Sequence, residues 1–153
     1  ENERTGSVTA NRIDFAALRQ GQTGLEVVFY EAKQFSNKEL RAATENVPVL
    51  EQLRRYESFL SNEQAALIES YRTVCGNLSA LLGVNNRYSA MSAAMRNTAQ
   101  LAIRADVRLV IFGFDADQKD GANWSGHRRK LEAALGDRLL LKGDANKFTN
   151  GIS

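Results

Sequence analysis

Arg12-Ile13-Asp14-Phe15-Ala16-Ala17-Leu18-Arg19-Gln20-Gly21-Gln22-Thr23-Gly24-Leu25-Glu26-Val27-Val28-Phe29-Tyr30-Glu31-Ala32-Lys33 is the stretch whose reading decides the fold. Two runs rich in β-branched and aromatic residues, 12–18 and 25–33, flank a segment with two glycines, and such an arrangement predicts a β-hairpin. If Gln22 and Thr23 form a two-residue loop, Gly21 faces Gly24. Stepping back seven residues along each arm then sets Asp14 directly opposite Glu31. Cross-strand partners have Cβ atoms ~5 Å apart, where two carboxylates repel unless a cation or a shared proton intervenes. The same face carries Arg12 opposite Lys33 and Ala16 opposite Phe29. On the other face Ile13, Phe15 and Ala17 meet Ala32, Tyr30 and Val28. Apart from the acid and base groups the hairpin is apolar, as expected of a sheet covered on both sides. Register is decisive, because a loop one residue longer or shorter sends the two acids to opposite faces.

An Asp and a Glu on neighbouring strands are often merely solvated, and Glu31-Ala32-Lys33 alone is a common kind of tripeptide. These charges, however, interrupt otherwise apolar strands, where unpaired carboxylates are costly and are usually paired or metal-bound. A helix predicted over 48–60 adds a second cluster. Pro48 stands in its first turn, and Val49, Leu50, Leu53, Tyr56, Phe59 and Leu60 form its apolar stripe. Gln52 and Tyr56, four apart, share one face.

The order Asp14, then Glu31-Ala32-Lys33, then Gln52-x-x-x-Tyr56 resembles the PD-(D/E)XK nuclease superfamily, in particular its RecB-type branch. The resemblance spans 12–60 directly and extends less closely to 108–115; Ile13 stands where the family has proline. It implies a restriction-endonuclease-like core with Asp14 and Glu31 as metal ligands and the carbonyl of Ala32 completing the shell. Lys33 would orient or activate the attacking water, and Gln52 and Tyr56 would help place nucleic acid and buttress the site. The implied ion is Mg²⁺ or Mn²⁺, a hard cation that takes oxygen ligands and keeps several waters. Family members usually open with a helix bearing another acid. Only 13 residues precede Asp14, and Ser7-Val8-Thr9-Ala10 reads as a strand, with Glu1 or Glu3 as stand-ins for that acid. A chain that starts with Glu is expected to be a fragment or a processed domain.

Downstream, Ser36-Asn37-Lys38-Glu39 has capping-box spacing and opens a short helix, and Ser61-Asn62-Glu63-Gln64 does the same for a longer one ending near Leu82. The longer helix carries Leu67, Ile68, Tyr71, Val74, Cys75, Leu78, Leu81 and Leu82 as a core-facing stripe. Residues 89–102 read as a helix with Met91 and Met95 in the core. A buried strand follows over 108–114, with Asp115 and Asp117 in a loop or capping role. Ser125 is expected to cap a helix ending at Leu135 before Gly136, and 138–142 to be the last strand. Strands alternating with helices after a hairpin give an α/β fold, a central mixed sheet flanked by helices.

Composition sets limits. A chain of 153 residues, 43% hydrophobic and 25% charged, is expected to form one domain with one core. One Cys and one His argue against a disulfide or a zinc site and suit a cytoplasmic location. Cys75 reads as a buried inert thiol, and His127, beside Arg128-Arg129-Lys130, as an exposed or nucleic-acid-facing residue. No apolar run is long enough to span a bilayer. The net charge of +2 is small, so a nucleic-acid footprint must come from clusters such as Lys38 with Arg41, Arg54-Arg55 or Arg128-Arg129-Lys130.

The expected function is a metal-dependent nuclease hydrolysing phosphodiesters, with DNA as partner and RNA as the other candidate substrate. A second reading is an inactive module of the same shape that binds nucleic acid or protein. A third is a nuclease toxin domain partnered by an immunity protein. A second subunit or an additional N-terminal segment would complete a site lacking one wall.

Overall fold

The computed structural model describes residues 12–42, 46–82 and 89–144. Its centre is the strand β2 (Leu25–Gln34), which lies between the hairpin partner β1 (Phe15–Gln20) and β3 (Ala102–Phe112). With β4 (Leu139–Gly143) they make a four-stranded mixed sheet in the order β1-β2-β3-β4, antiparallel at the hairpin and parallel elsewhere. Because β2 is interior and covered on both faces, Leu25, Val27, Val28, Phe29, Tyr30, Glu31 and Lys33 are all buried. That explains a sequence without polar alternation.

Two long crossovers link the parallel strands. Between β2 and β3 come a short 3-10 turn (Lys38–Leu40) and helices α1 (Pro48–Asn62), α2 (Gln64–Leu82) and α3 (Ser89–Arg96). Between β3 and β4 come α4 (Ala116–Asp120), α5 (Ala122–Leu135) and a second 3-10 turn (Gly136–Arg138). Crossovers of one hand that advance in the same direction across a sheet deliver their helices to the same face. Val49, Leu53, Tyr56 and Leu60 of α1, Cys75 of α2, Met95 of α3 and Trp124, Leu131 and Leu135 of α5 accordingly share one core with Val27, Phe29, Ile103, Val107, Leu109 and Ile111 of the sheet. The opposite face buries a smaller cluster of Val28, Tyr30 and Val110, against which Phe15, Ala17 and Leu140 pack. Phe15 stacks on Tyr30 with ring centres 4.8 Å apart.

The register slips between Val28 and Tyr30, where β2 advances two residues while β3 advances from Arg104 to Arg108. The slip inserts an even number of residues, so side chains on β3 keep their faces. At the other end of the hairpin Gly24 lies against the chain entering β3. A Cβ there would sit 2.7 Å from the Gln100 carbonyl, so only glycine fits without movement.

Several local expectations are corrected. Asn37, rather than Ser36, caps the first turn, its Oδ1 accepting from the Glu39 N–H at 2.8 Å, and the turn is 3-10. Ser61 does not open α2: its hydroxyl donates to the Glu57 carbonyl at 2.8 Å, and α1 continues to Asn62. Helix α3 stops at Arg96, and β3 begins already at Ala102, six residues before the predicted strand. Ser125 lies inside α5, which starts at Ala122 behind Gly121. Ile13 packs with the helix-side core rather than beside Phe15, because regular pairing starts only at Phe15. The expectations for residues 1–11, including Glu1, Glu3 and the strand at 7–10, lie outside the described residues. No described helix is long and apolar enough to cross a membrane.

Candidate metal and nucleic-acid site

The hairpin register runs as expected from Phe15 to Gln20, but the direct pairing expected of Asp14 with Glu31 lies beyond it. Phe15 pairs with Tyr30 and Gln20 with Leu25, and the Gly21 N–H donates to the Gly24 carbonyl at 2.8 Å, the pattern of the two-residue loop. The ladder stops one residue short of Asp14, which crosses to β2 by its side chain instead: its Oδ2 accepts the Ala32 N–H at 2.8 Å. In an extended strand the N–H and C=O of one residue point the same way, so the Ala32 carbonyl also faces the Asp14 side of β2.

Glu31 is the centre of the site and is only 3% exposed. Its Oε1 receives the Lys33 ammonium at 2.7 Å and the Gln52 amide at 3.0 Å, whereas its Oε2 is buried with no hydrogen-bond partner. Burial pushes the Glu31 carboxyl up; hydrogen bonding and charge from Lys33 oppose the rise, and the charge of Asp14 adds to it. Lys33 also bonds Glu39 at 2.6 Å. Burial works against its ammonium, but the hydrogen bonds to Glu31 and Glu39 outweigh it and raise the pKa, so Lys33 is a cation at neutral pH.

The helix motif closes the cluster from α1. Gln52 Nε2 donates to Tyr56 Oη at 2.7 Å as well as to Glu31, and the Tyr56 hydroxyl donates to the Arg12 carbonyl at 2.6 Å. One relay therefore runs from the backbone ahead of Asp14, through Tyr56 and Gln52, to Glu31. The Gln52 Oε1 is a second buried oxygen without a partner. Asp14, Glu31, Lys33, Gln52 and Tyr56 are thus brought together around the Glu31-Ala32 backbone.

Glu39 is the member that sequence reasoning missed, having been read only for its capping spacing. The signal was its position six residues after Lys33 across a turn. With it, two carboxylates, Glu31 and Glu39, hold the Lys33 ammonium, while Asp14 acts on Glu31 from the other side. No cluster of three or more His, Cys, Asp or Glu side chains spaced to hold a metal occurs among the described residues. The available donors are two carboxylates and a carbonyl, a set that suits a hard cation completed by water and substrate phosphate.

Other candidates fall away from this centre. Cys75 is fully buried, and burial raises its thiol pKa. His127 is half-buried rather than exposed: its Nδ1 accepts the Ala42 N–H at 3.1 Å and its ring lies beside that of Trp124. Asp115 caps α4 in a reciprocal box with Gln118, so its role is structural. Arg128 is tied to Asp120 at 3.1 Å and to Glu132 at 2.7 Å. No protein-family model, curated protein or solved structure matches the chain.

Proposed function

We infer that this protein is a metal-dependent nuclease that hydrolyses phosphodiester bonds, with DNA as the favoured substrate. The observation that carries the reading is the Glu31 carboxylate, buried with one oxygen unpartnered and flanked by Asp14, Lys33 and the Gln52–Tyr56 relay. A buried, half-satisfied carboxylate is expensive, and its free oxygen calls for a partner such as an ordered water or a cation. Asp14, Glu31 and the Ala32 carbonyl would hold Mg²⁺ or Mn²⁺, and such an ion, when bound, polarises a phosphoryl oxygen and acidifies a bound water.

The side chains supply the rest. Lys33, held from two sides by Glu31 and Glu39, presents an ammonium that fixes a phosphate oxygen or a water. Gln52 fixes the Glu31 rotamer from α1, so the carboxylate is oriented before substrate arrives. Tyr56 does the same one step further back, anchoring Gln52 to the segment ahead of β1 that carries Asp14.

A second reading, a module of this shape that binds without cutting, is favoured by the absence of a third ligating side chain among the described residues. Calorimetric titration with Mn²⁺ separates the two. The nuclease reading expects saturable binding that is lost in Asp14→Asn, and the binding module expects no binding that depends on Asp14.

A further inference from the structure

Between the turn that follows β2 and the start of α5 lies a cleft of about 290 Å³ lined by Phe35, Arg41, Gln118, Ala122, Asn123 and Trp124. Phe35 follows Lys33 by two residues, one past the end of β2, and Arg41 follows Glu39 by two residues at the end of the 3-10 turn. The cleft thus takes two of its walls from the segment that carries Lys33 and Glu39.

Its chemistry is that of a flat ring with a polar edge. Phe35 and Trp124 meet edge to face with centres 5.0 Å apart. The Arg41 guanidinium lies 5.1 Å from the Phe35 ring and 5.8 Å from the Trp124 ring. Its Nη1 is fixed by the carbonyls of Phe35 and Asn37 at 2.7 and 3.0 Å, and these are its hydrogen bonds among the described residues. The guanidinium is thus a rigid plane with donors to spare. Trp124 is only 3% exposed and Phe35 is half-buried, so the plane the cleft offers a base is the Arg41 guanidinium above them. Arginine planes are surfaces on which unpaired bases stack, and the exposed Asn123 amide can meet a base edge. The volume suits one ring system rather than a length of duplex.

We propose that this cleft is a subsite for a single unpaired nucleobase, so that the protein engages a frayed or single-stranded nucleic acid along the segment that carries Lys33 and Glu39. The coupling of base capture to cleavage rests on the nuclease reading; base capture itself does not.

Trp124 is the chain's one tryptophan, so its fluorescence reports on the cleft directly. The test is a titration of the full chain in EDTA with a short oligothymidylate and with an abasic strand of equal length. It is repeated with Ala122→Phe, which fills the cleft from an exposed position, and with Asp14→Asn. The expected result is a saturable change with oligothymidylate, little change with the abasic strand, and binding weakened about tenfold in Ala122→Phe at unchanged melting temperature. Asp14→Asn should titrate as the wild type. No saturable change with oligothymidylate, equal binding of the abasic strand, or undiminished binding in a folded Ala122→Phe overturns the proposal. Base binding by a protein that cuts nothing with Mg²⁺ or Mn²⁺ leaves the cleft standing and removes the nuclease reading. Cleavage without any fluorescence response does the reverse.

Discussion

At the scale of single residues, the site combines groups that cost stability with groups that offset the cost. Glu31 is buried and only half satisfied, and Lys33 and Gln52 hold it in place. Replacing Lys33 by Met leaves that carboxyl without its counter-charge. The expected destabilisation is up to ~3–5 kcal/mol, reduced to the extent that Glu31 takes up a proton instead, and denaturant unfolding measures it. Loss of activity in Lys33→Met therefore says less than loss in Asp14→Asn, because Asp14 is exposed and its change is expected to leave the fold intact. Tyr56→Phe removes a donor to the Arg12 carbonyl and an acceptor for Gln52, and should cost about 1–2 kcal/mol in the same measurement. Cys75 gives a check on the core: fully buried and with its thiol pKa raised by burial, it should resist a thiol-specific reagent at pH 8 and react only on unfolding.

Among the elements, the hairpin was legible from Phe15 to Gln20 because its two-residue loop converts sequence numbers into register; beyond the ladder Asp14 meets the Ala32 N–H instead of lying paired with Glu31. Gln52 and Tyr56 were legible as one helix face. Glu39 was not, because it reaches Lys33 through a 3-10 turn whose direction is set by the Asn37 cap. The tie between Arg138 and Glu57, which joins the turn before β4 to α1, is tertiary and leaves no periodic trace in either segment. Helix α2 shows the limit of stripe reading. Its apolar residues occupy a wider arc than the core covers, so Cys75 is buried while Leu81 is 82% exposed and Val74 and Leu78 lie at the edge. Leu81→Ser should accordingly change stability by less than about 0.5 kcal/mol, against 2–5 kcal/mol for Leu53→Ala, which empties a fully buried position of α1. Gly136 ends α5 at φ 55° and ψ −123°, a conformation closed to L side chains, and Gly136→Ala should cost about 1–3 kcal/mol in the same unfolding assay.

For the molecule as a whole, both crossovers lay their helices on one sheet face and bring the end of β2, the turn after it and α1 to one place. Sites at the carboxyl ends of parallel strands are the usual outcome of such topology. Here that end carries Asp14, Glu31 and Glu39 in a chain whose net charge is only +2, so any attraction for a cation comes from these carboxylates rather than from overall charge. Binding of such a cation to the folded state alone should raise the melting temperature, the rise continuing with the logarithm of ion concentration above the dissociation constant, and Asp14→Asn should remove the effect. A metal site formed by Asp14 and Glu31 for phosphodiester hydrolysis, as proposed, is tested most directly by one assay. Wild type and Asp14→Asn are incubated with single-stranded DNA, linear and circular duplex DNA, and RNA, each with Mg²⁺, Mn²⁺ or EDTA. The expected result is cleavage by the wild type with a divalent ion, none in EDTA, and none by the folded Asp14→Asn protein. Undiminished cleavage by Asp14→Asn, or no cleavage of any substrate by the wild type, would contradict it.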